Sequence, residues 1–242
     1  MTAFKILVCD PLSPKGVTIL SKECQVDEKP KLPEEEIIKI IPQYDGVIVR
    51  SGTKITEKII TAASKLKVIG RAGVGVDNID VKAATKKGIV VLNSPEGNTR
   101  AAAEQTLALL FSVMRKTPQA YISMKEKRWD RKKFMGSELY NKKFGIVGLG
   151  KIGTAVAKMA LGIGMQVYAY DPFADEEMCE RLGITFLPLE KLFKEVDIIS
   201  LHVPKNDDTK DLINTQSISK MKKGIIIINC ARGGVVNEDD LY

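Results

Sequence analysis

The chain has 242 residues, 44% hydrophobic and 28% charged, a balance that supports a packed core and excludes a mostly disordered polymer. Its 37 Lys and Arg against 30 Asp and Glu leave a net charge of +7, scattered except for Lys125, Lys127, Arg128, Arg131, Lys132 and Lys133. With 6% aromatics and no zinc pattern, RNP motif or basic repeat, that charge reads as a solvated face, and neither nucleic acid nor a metal is expected as a partner.

No run of about eighteen apolar residues occurs, so no membrane span is expected. The start, Met1–Asp10, reaches an acid before a signal-peptide core could form, and the reading is a soluble, unprocessed protein. Cys9, Cys24, Cys179 and Cys230 are far apart and form no CxxC pair, which fits reduced thiols in the cytoplasm.

Short Val- and Ile-rich runs predict strands at Phe4–Cys9, Gly46–Val49, Val68–Gly70 and Ile89–Leu92, with helices at Glu34–Ile41, Thr56–Ser64 and Val81–Lys87 between them. Runs without polar alternation suit parallel strands buried on both faces. The Pro, Gly and Asn of Asn93–Asn98 mark a junction, followed by a long helix at Thr99–Met114 that Thr99 or Asn98 could cap. A second series then predicts strands at Phe144–Val147, Gln166–Tyr170, Asp197–Leu201 and Ile225–Asn229. Two α/β domains with parallel sheets follow, divided as 1–97 and 98–242.

The strongest local signal is Gly148, Gly150 and Gly153, a GxGxxG set directly after a predicted strand and before a helix predicted at Thr154–Leu161. The first glycine permits a tight turn, the second lets a pyrophosphate approach the backbone, and the third allows close helix–strand packing. The helix N-terminus then offers unpaired N–H groups to the anion. The next strand ends in Asp171, 18 residues after Gly153, close to the spacing of an acid that accepts hydrogen bonds from ribose hydroxyls. Such a carboxylate repels a 2′-phosphate, and Pro172-Phe173-Ala174-Asp175 supplies no cation, so NAD is favoured over NADP, with FAD and S-adenosylmethionine well behind.

Arg232 lies in Asn229–Asn237, just past a predicted strand, where a guanidinium can reach a cleft and fork onto a carboxylate. A salt bridge at a tight surface turn accounts for it equally. Arg50-Ser51 and Gly70–Asp80 end two neighbouring predicted strands. Arg50 and Arg71 could share a rim, and Gly70, Gly73 and Gly75 could turn amides into an anion nest. Two unrelated surface arginines explain the spacing nearly as well.

These segments, with Ser94–Glu104, Trp129–Glu138 and Leu201–Pro204, resemble the D-isomer-specific 2-hydroxyacid dehydrogenases over the whole chain. The resemblance implies a flavodoxin-like substrate domain followed by an NAD-binding Rossmann domain lacking its last part. It implies NAD contacts from Val74, Gly148, Gly150, Lys151, Ile152, Gly153, Asp171, His202, Val203, Cys230, Ala231 and Arg232, with Arg232 also catalytic. Substrate contacts would come from Arg50, Ser51, Arg71, Gly73, Val74 and Gly75, with Arg131 and Lys132 supplied by a partner subunit. Self-association would use 98–140.

The stretch Trp129–Gly136 is most like family members that act on 3-phosphoglycerate, which implies oxidation of 3-phospho-D-glycerate to 3-phosphooxypyruvate at the start of phosphorylated serine synthesis. A glyoxylate or hydroxypyruvate reductase, or an NAD(H)-sensing binding protein of the same fold, is the alternative. The family's catalytic His and Glu lie downstream of Tyr242; His202 matches a cofactor-loop histidine instead. Asn237 followed by Glu238, Asp239 and Asp240 reads as the start of a helix cut after one turn, and a chain ending there is expected not to turn over.

Overall fold

The computed structural model describes residues 4–242. The chain divides into two compact units, one ending at Asn98 and the other spanning Thr99–Tyr242. Each holds one five-stranded, all-parallel sheet. No helix among the described residues is long and apolar enough to cross a membrane.

The first unit runs β1 (Phe4–Val8), α1 (Pro14–Leu20), β2 (Cys24–Glu28), α2 (Glu34–Ile40), β3 (Gly46–Val49), α3 (Glu57–Ala62), β4 (Val68–Arg71), α4 (Val81–Lys86) and β5 (Val90–Asn93). Its sheet order is β2-β1-β3-β4-β5, the flavodoxin-like winding with a switch point between β1 and β3. Leu7, Val47, Val49 and Ile69 bury one face of the sheet against Ile37, Ile41, Ile59 and Ile60 of the helical layer. Thr56 and Asp80 cap α3 and α4 by accepting from the amides of Ile59 and Ala83.

The second unit runs α5 (Thr99–Arg115), α6 (Thr117–Lys125), β6 (Lys143–Val147), α7 (Lys151–Gly162), β7 (Gln166–Tyr170), α8 (Glu176–Arg181), β8 (Thr185–Phe186), α9 (Leu189–Glu195), β9 (Ile198–Leu201), α10 (Thr215–Ile218), β10 (Ile226–Asn229) and α11 (Glu238–Leu241). Its order, β10-β9-β6-β7-β8, is the Rossmann winding with the switch between β6 and β9. The strand period splits β6: Phe144 and Ile146 enter a core with α5 and α7, while Val147 faces one built on Leu192, Phe193 and Val235. Helix α5 buries Ala103, Thr106, Leu107, Leu110 and Met114, the i, i+3, i+4, i+7 stripe of an amphipathic helix.

Three expectations are corrected. The helix after the glycine motif begins at Lys151 rather than Thr154, so Gly153 sits in its first turn. Thr99 does not cap α5, because its Oγ1 is buried without a hydrogen-bond partner. The strand predicted from Ile89 starts at Val90, since the Ile89 amide closes the turn after α4 onto Ala84. Asn237 does cap α11, accepting from the Asp240 amide.

Candidate functional site

In the second unit the loop leaving β6 crosses close beneath the loop leaving β9. The amide of Gly148 donates to the Tyr170 carbonyl at 2.8 Å, and that of His202 to the Val147 carbonyl at 2.8 Å. Gly148 has φ +98°, and a Cβ there would meet the His202 carbonyl oxygen at 2.7 Å; one at Gly153 would lie 1.9 Å from the Gly148 carbonyl oxygen. Neither position accepts a side chain. At Gly150, the N-cap of α7, a Cβ would meet nothing within 4 Å, so this glycine opens onto the cleft rather than onto protein.

The Asp171 carboxylate ties this loop down. Its Oδ2 accepts from the Leu149 amide at 2.7 Å and its Oδ1 from the Phe173 amide at 2.8 Å. Each oxygen keeps a lone pair for a further donor. Gly148, Gly150, Asp171, His202 and Val203 line one cleft of about 530 Å³, closed by Tyr170, Pro172, Phe173, Leu189, Pro204, Asn206, Asp208, Thr209 and Leu212. The open glycine, the helix N-terminus behind it and the carboxylate at the next strand fit a dinucleotide.

His202 Nε2 lies 2.8 Å from Ser200 Oγ, and burial of the ring pushes its pKa down to about 4. It is a neutral, tethered group at physiological pH. Lys151 and Ile152 form the first turn of α7 beside the cleft without lining it. Cys230, Ala231 and Arg232 follow β10. There Asn229 clamps the loop, its Oδ1 accepting from the Ala231 amide at 3.0 Å and its Nδ2 donating to the Arg232 carbonyl at 2.9 Å. The Arg232 guanidinium is half-buried and donates to the Ala231 carbonyl at 2.8 Å.

In the first unit Arg50 and Arg71 come together. Both line a pocket of about 420 Å³ with Ser51, Ala72, Gly73, Ser94, Gly97 and Asn98. Val49 and Arg71 are paired in the β3–β4 register, so the two arginines leave adjacent strands at the same rim. The buried Asp10 carboxylate holds the Arg50 loop, accepting from the amides of Arg50 at 2.6 Å and Thr53 at 3.1 Å and from Thr53 Oγ1 at 2.9 Å. Asn78 closes it from the other side through the carbonyls of Arg50 and Thr53.

The Arg71 guanidinium lies over Gly73, where a Cβ would displace it, and Arg71 Nε is buried with no hydrogen-bond partner. A buried cationic donor left unpaired is costly, and an anion in the pocket would satisfy it. The Gly73 amide is not available to an anion nest, being given to the Arg71 carbonyl at 2.8 Å, and the cations lining the pocket are side chains. Val74 and Gly75 follow in the same loop but do not line the pocket; Asn93 Nδ2 holds the Val74 carbonyl. Arg131 and Lys132 are exposed on a short 3-10 turn, Arg131–Phe134, of the second unit.

Sequence reasoning missed Asp10 and Asn78, whose role depends on contacts 25 to 43 residues away, and read Ser94–Asn98 as a junction and part of the family resemblance without assigning it to the pocket that three of its residues line. No cluster of three or more His, Cys, Asp or Glu suited to a metal occurs among the described residues.

Residues 107–242 match the family model of the D-isomer specific 2-hydroxyacid dehydrogenase NAD binding domain, and the chain belongs to that family. NAD is the cofactor this domain takes. Among curated proteins the chain is 53% identical over 240 residues to D-3-phosphoglycerate dehydrogenase of Synechocystis sp., covering 99% of this chain and 43% of that protein. To the enzyme of the same name from Archaeoglobus fulgidus it is 46% identical over 239 residues, covering 98% and 45%. The chain thus spans less than half the length of these curated relatives. Among solved structures, NAD+-bound 3-phosphoglycerate dehydrogenase of Entamoeba histolytica superposes with a TM-score of 0.83 at 36% identity, covering 99% of this chain and 76% of that one.

Proposed function

We propose that the chain carries the substrate- and NAD-binding units of an enzyme that oxidises 3-phospho-D-glycerate to 3-phosphooxypyruvate, the reaction implied by its relatives' name. The observation that carries this reading is the pocket in which Arg50 and Arg71 converge with one guanidinium nitrogen buried and unpaired. A substrate bearing two anionic groups uses such cations; a simple hydroxyacid does not need both.

NAD, when bound, supplies the hydride acceptor. The glycine loop and the N-terminus of α7 hold its pyrophosphate, and Asp171 takes the ribose hydroxyls and disfavours a 2′-phosphate. Arg232, on the loop clamped by Asn229, holds the substrate carboxylate and polarises the reacting oxygen, with Val74, Lys151, Ile152, Val203, Cys230 and Ala231 as further cofactor contacts. His202 is not the base, because its Nε2 faces Ser200 and burial disfavours the protonated ring that a base must become.

Self-association through 98–140 completes the reading, with Arg131 and Lys132 reaching a neighbour's substrate. Leu109, Phe111, Val113, Tyr121, Ile122, Met124, Trp129 and Met135 are all exposed there, more apolar surface than water favours on one region. The four free thiols accord with a reducing, cytoplasmic setting.

The test is calorimetric binding of 3-phosphoglycerate and of NAD to Arg50→Ala and Arg71→Ala. Each substitution is expected to weaken phosphoglycerate about ten- to a hundredfold, the worth of a charged hydrogen bond, and to leave NAD unchanged. Unchanged phosphoglycerate affinity in both would return the substrate to the general 2-hydroxyacid class.

A further inference from the structure

Arg50 stands between two cavities. One is the pocket of about 420 Å³ that it shares with Arg71; the other is an apolar hollow of about 560 Å³ walled by Leu12, Ile19, Leu20 and Ile48. Among the described residues its guanidinium makes one hydrogen bond, to the Pro11 carbonyl at 3.5 Å, the outer limit of such a contact. So slack a tether does not choose between the cavities. The direction of the side chain is left to the backbone that carries it.

That backbone is set by one residue. Asp10 is buried, and its carboxylate bridges the two ends of the turn at 50–53. Its Oδ2 accepts from the amides of Arg50 at 2.6 Å and Thr53 at 3.1 Å, and its Oδ1 from Thr53 Oγ1 at 2.9 Å. Thr53 Oγ1 also reaches the Cys9 carbonyl at 3.2 Å, and Gly52 lies so close that a Cβ would meet Oδ1 at 2.7 Å. Burying a carboxylate is costly unless hydrogen bonds offset it, and each bond made here by the Asp10 carboxylate runs to the Arg50 loop. Yet Asp10 lines neither cavity. Its chemistry is directed at the loop rather than at a ligand.

We infer that Asp10 is a positioning residue for the substrate's phosphate: by bridging residues 50 and 53 it turns Arg50 into the pocket shared with Arg71 and away from the apolar hollow. The inference rests on the reading of that pocket as the phosphate seat. With the bridge cut, the guanidinium divides its time between the two cavities and water. Affinity then falls by the fraction of time spent in the competent direction.

Calorimetric titration of the 242-residue chain with 3-phosphoglycerate and with NAD tests it. Asp10→Ala should weaken phosphoglycerate roughly three- to tenfold and leave NAD unchanged. In an Arg50→Ala background the same change should add nothing, because the arm it aims is gone; in an Arg71→Ala background it should cost its full factor. Asp10→Asn should restore binding. Its carboxamide oxygen takes both amides, and its NH₂ donates to Thr53 Oγ1, which still donates to the Cys9 carbonyl. Where Asp10→Ala does not fold, Gly52→Ala, which crowds Oδ1 from outside, carries the same test in the same two backgrounds.

Phosphoglycerate affinity within twofold of wild type in the bridge variant, an equal loss in the Arg50→Ala background, or an Asp10→Asn chain as weak as Asp10→Ala overturns the assignment. If Arg50→Ala weakens phosphoglycerate and the bridge variant does not, the pocket stands and Asp10 is removed from it. Wild-type chain that binds no phosphoglycerate overturns the substrate reading and this assignment together.

Discussion

In the first unit the Lys5 amide donates to Asp45 Oδ2 at 3.0 Å, and in the second the Lys143 amide donates to Asp197 Oδ2 at the same distance. Each aspartate precedes the strand paired beside the first, and each also meets a lysine, Lys67 at 3.5 Å and Lys222 at 2.7 Å. The hydrogen bond from Lys5 holds the Asp45 carboxyl below its usual range; burial pushes Asp197 up, but Lys222 and the Lys143 amide bring it below that range as well. The entry ends of the two sheets are thus closed by one device. Their exit ends differ. After β6 comes a glycine loop and a twelve-residue helix, whereas after β1 come Asp10, two prolines and a seven-residue helix with no buried residue.

On the proposed reading of the two sites, that difference separates two ways of holding an anion. The second unit offers backbone amides at a helix N-terminus, which demands that other backbone pass where side chains would sit. The first places a carboxylate, Asp10, at its switch point to shape the loop that carries Arg50, and offers guanidinium groups instead. Backbone sites break by steric contact; side-chain sites break by loss of charge with the fold intact.

The largest expected effect follows from the backbone site. Gly153→Ala, with its Cβ 1.9 Å from the Gly148 oxygen, should cost about 3 kcal/mol or more, while Gly150→Ala, open on all sides, should unfold near wild type. In the first unit Gly52→Ala meets only the Asp10 carboxylate, at 2.7 Å, and should cost roughly 1–2 kcal/mol. Urea unfolding measures each; equal midpoints for Gly153→Ala and Gly150→Ala would contradict the packing account.

Acid should also divide the two units. His202 is the chain's one histidine, and its folded pKa of about 4 lies below the ordinary 6.5. Between those values the unfolded state binds a proton that the folded state does not. Stability contributed by the neutral ring is therefore complete above pH 6.5 and falls as pH drops toward 4, by roughly 3 kcal/mol. Hydrogen exchange should show the loss in the second unit, and His202→Gln should flatten it. An equal loss in the first unit would point to another group.

The smallest effect concerns the shared device. Asp45→Ala and Asp197→Ala each remove one acceptor from a strand-end amide and one partner from a lysine, exposed Lys67 and half-exposed Lys222, and should cost about 1 kcal/mol each by thermal unfolding. A clear inequality would mean that the two ends are alike in geometry but not in energy.

The residue order alone determined the features that depend on neighbours in the chain. Val- and Ile-rich runs marked eight of the ten strands; interior strands buried on both faces need such continuous apolar sequence, while edge strand β5 carries the run but leaves Val90 and Leu92 exposed. Strands β2 and β8, at the sheet edges, did not stand out: Cys24–Glu28 is largely polar and Thr185–Phe186 is two residues long, and each forms only because a parallel neighbour supplies its hydrogen bonds. The glycine motif with Asp171 was legible because glycines and acid lie at fixed spacings, although the helix starts at Lys151, three residues earlier than the sequence suggested. Which amides stayed free was decided by tertiary structure. Gly73 gives its amide to Arg71, Leu149 gives its amide to Asp171, and Asp10 and Asn78 hold the Arg50 loop from 25 to 40 residues away. A hydrogen bond between distant residues leaves no period or spacing in a sequence, so the convergence of Arg50 and Arg71 and the unpaired Nε emerged only when the strands were laid side by side.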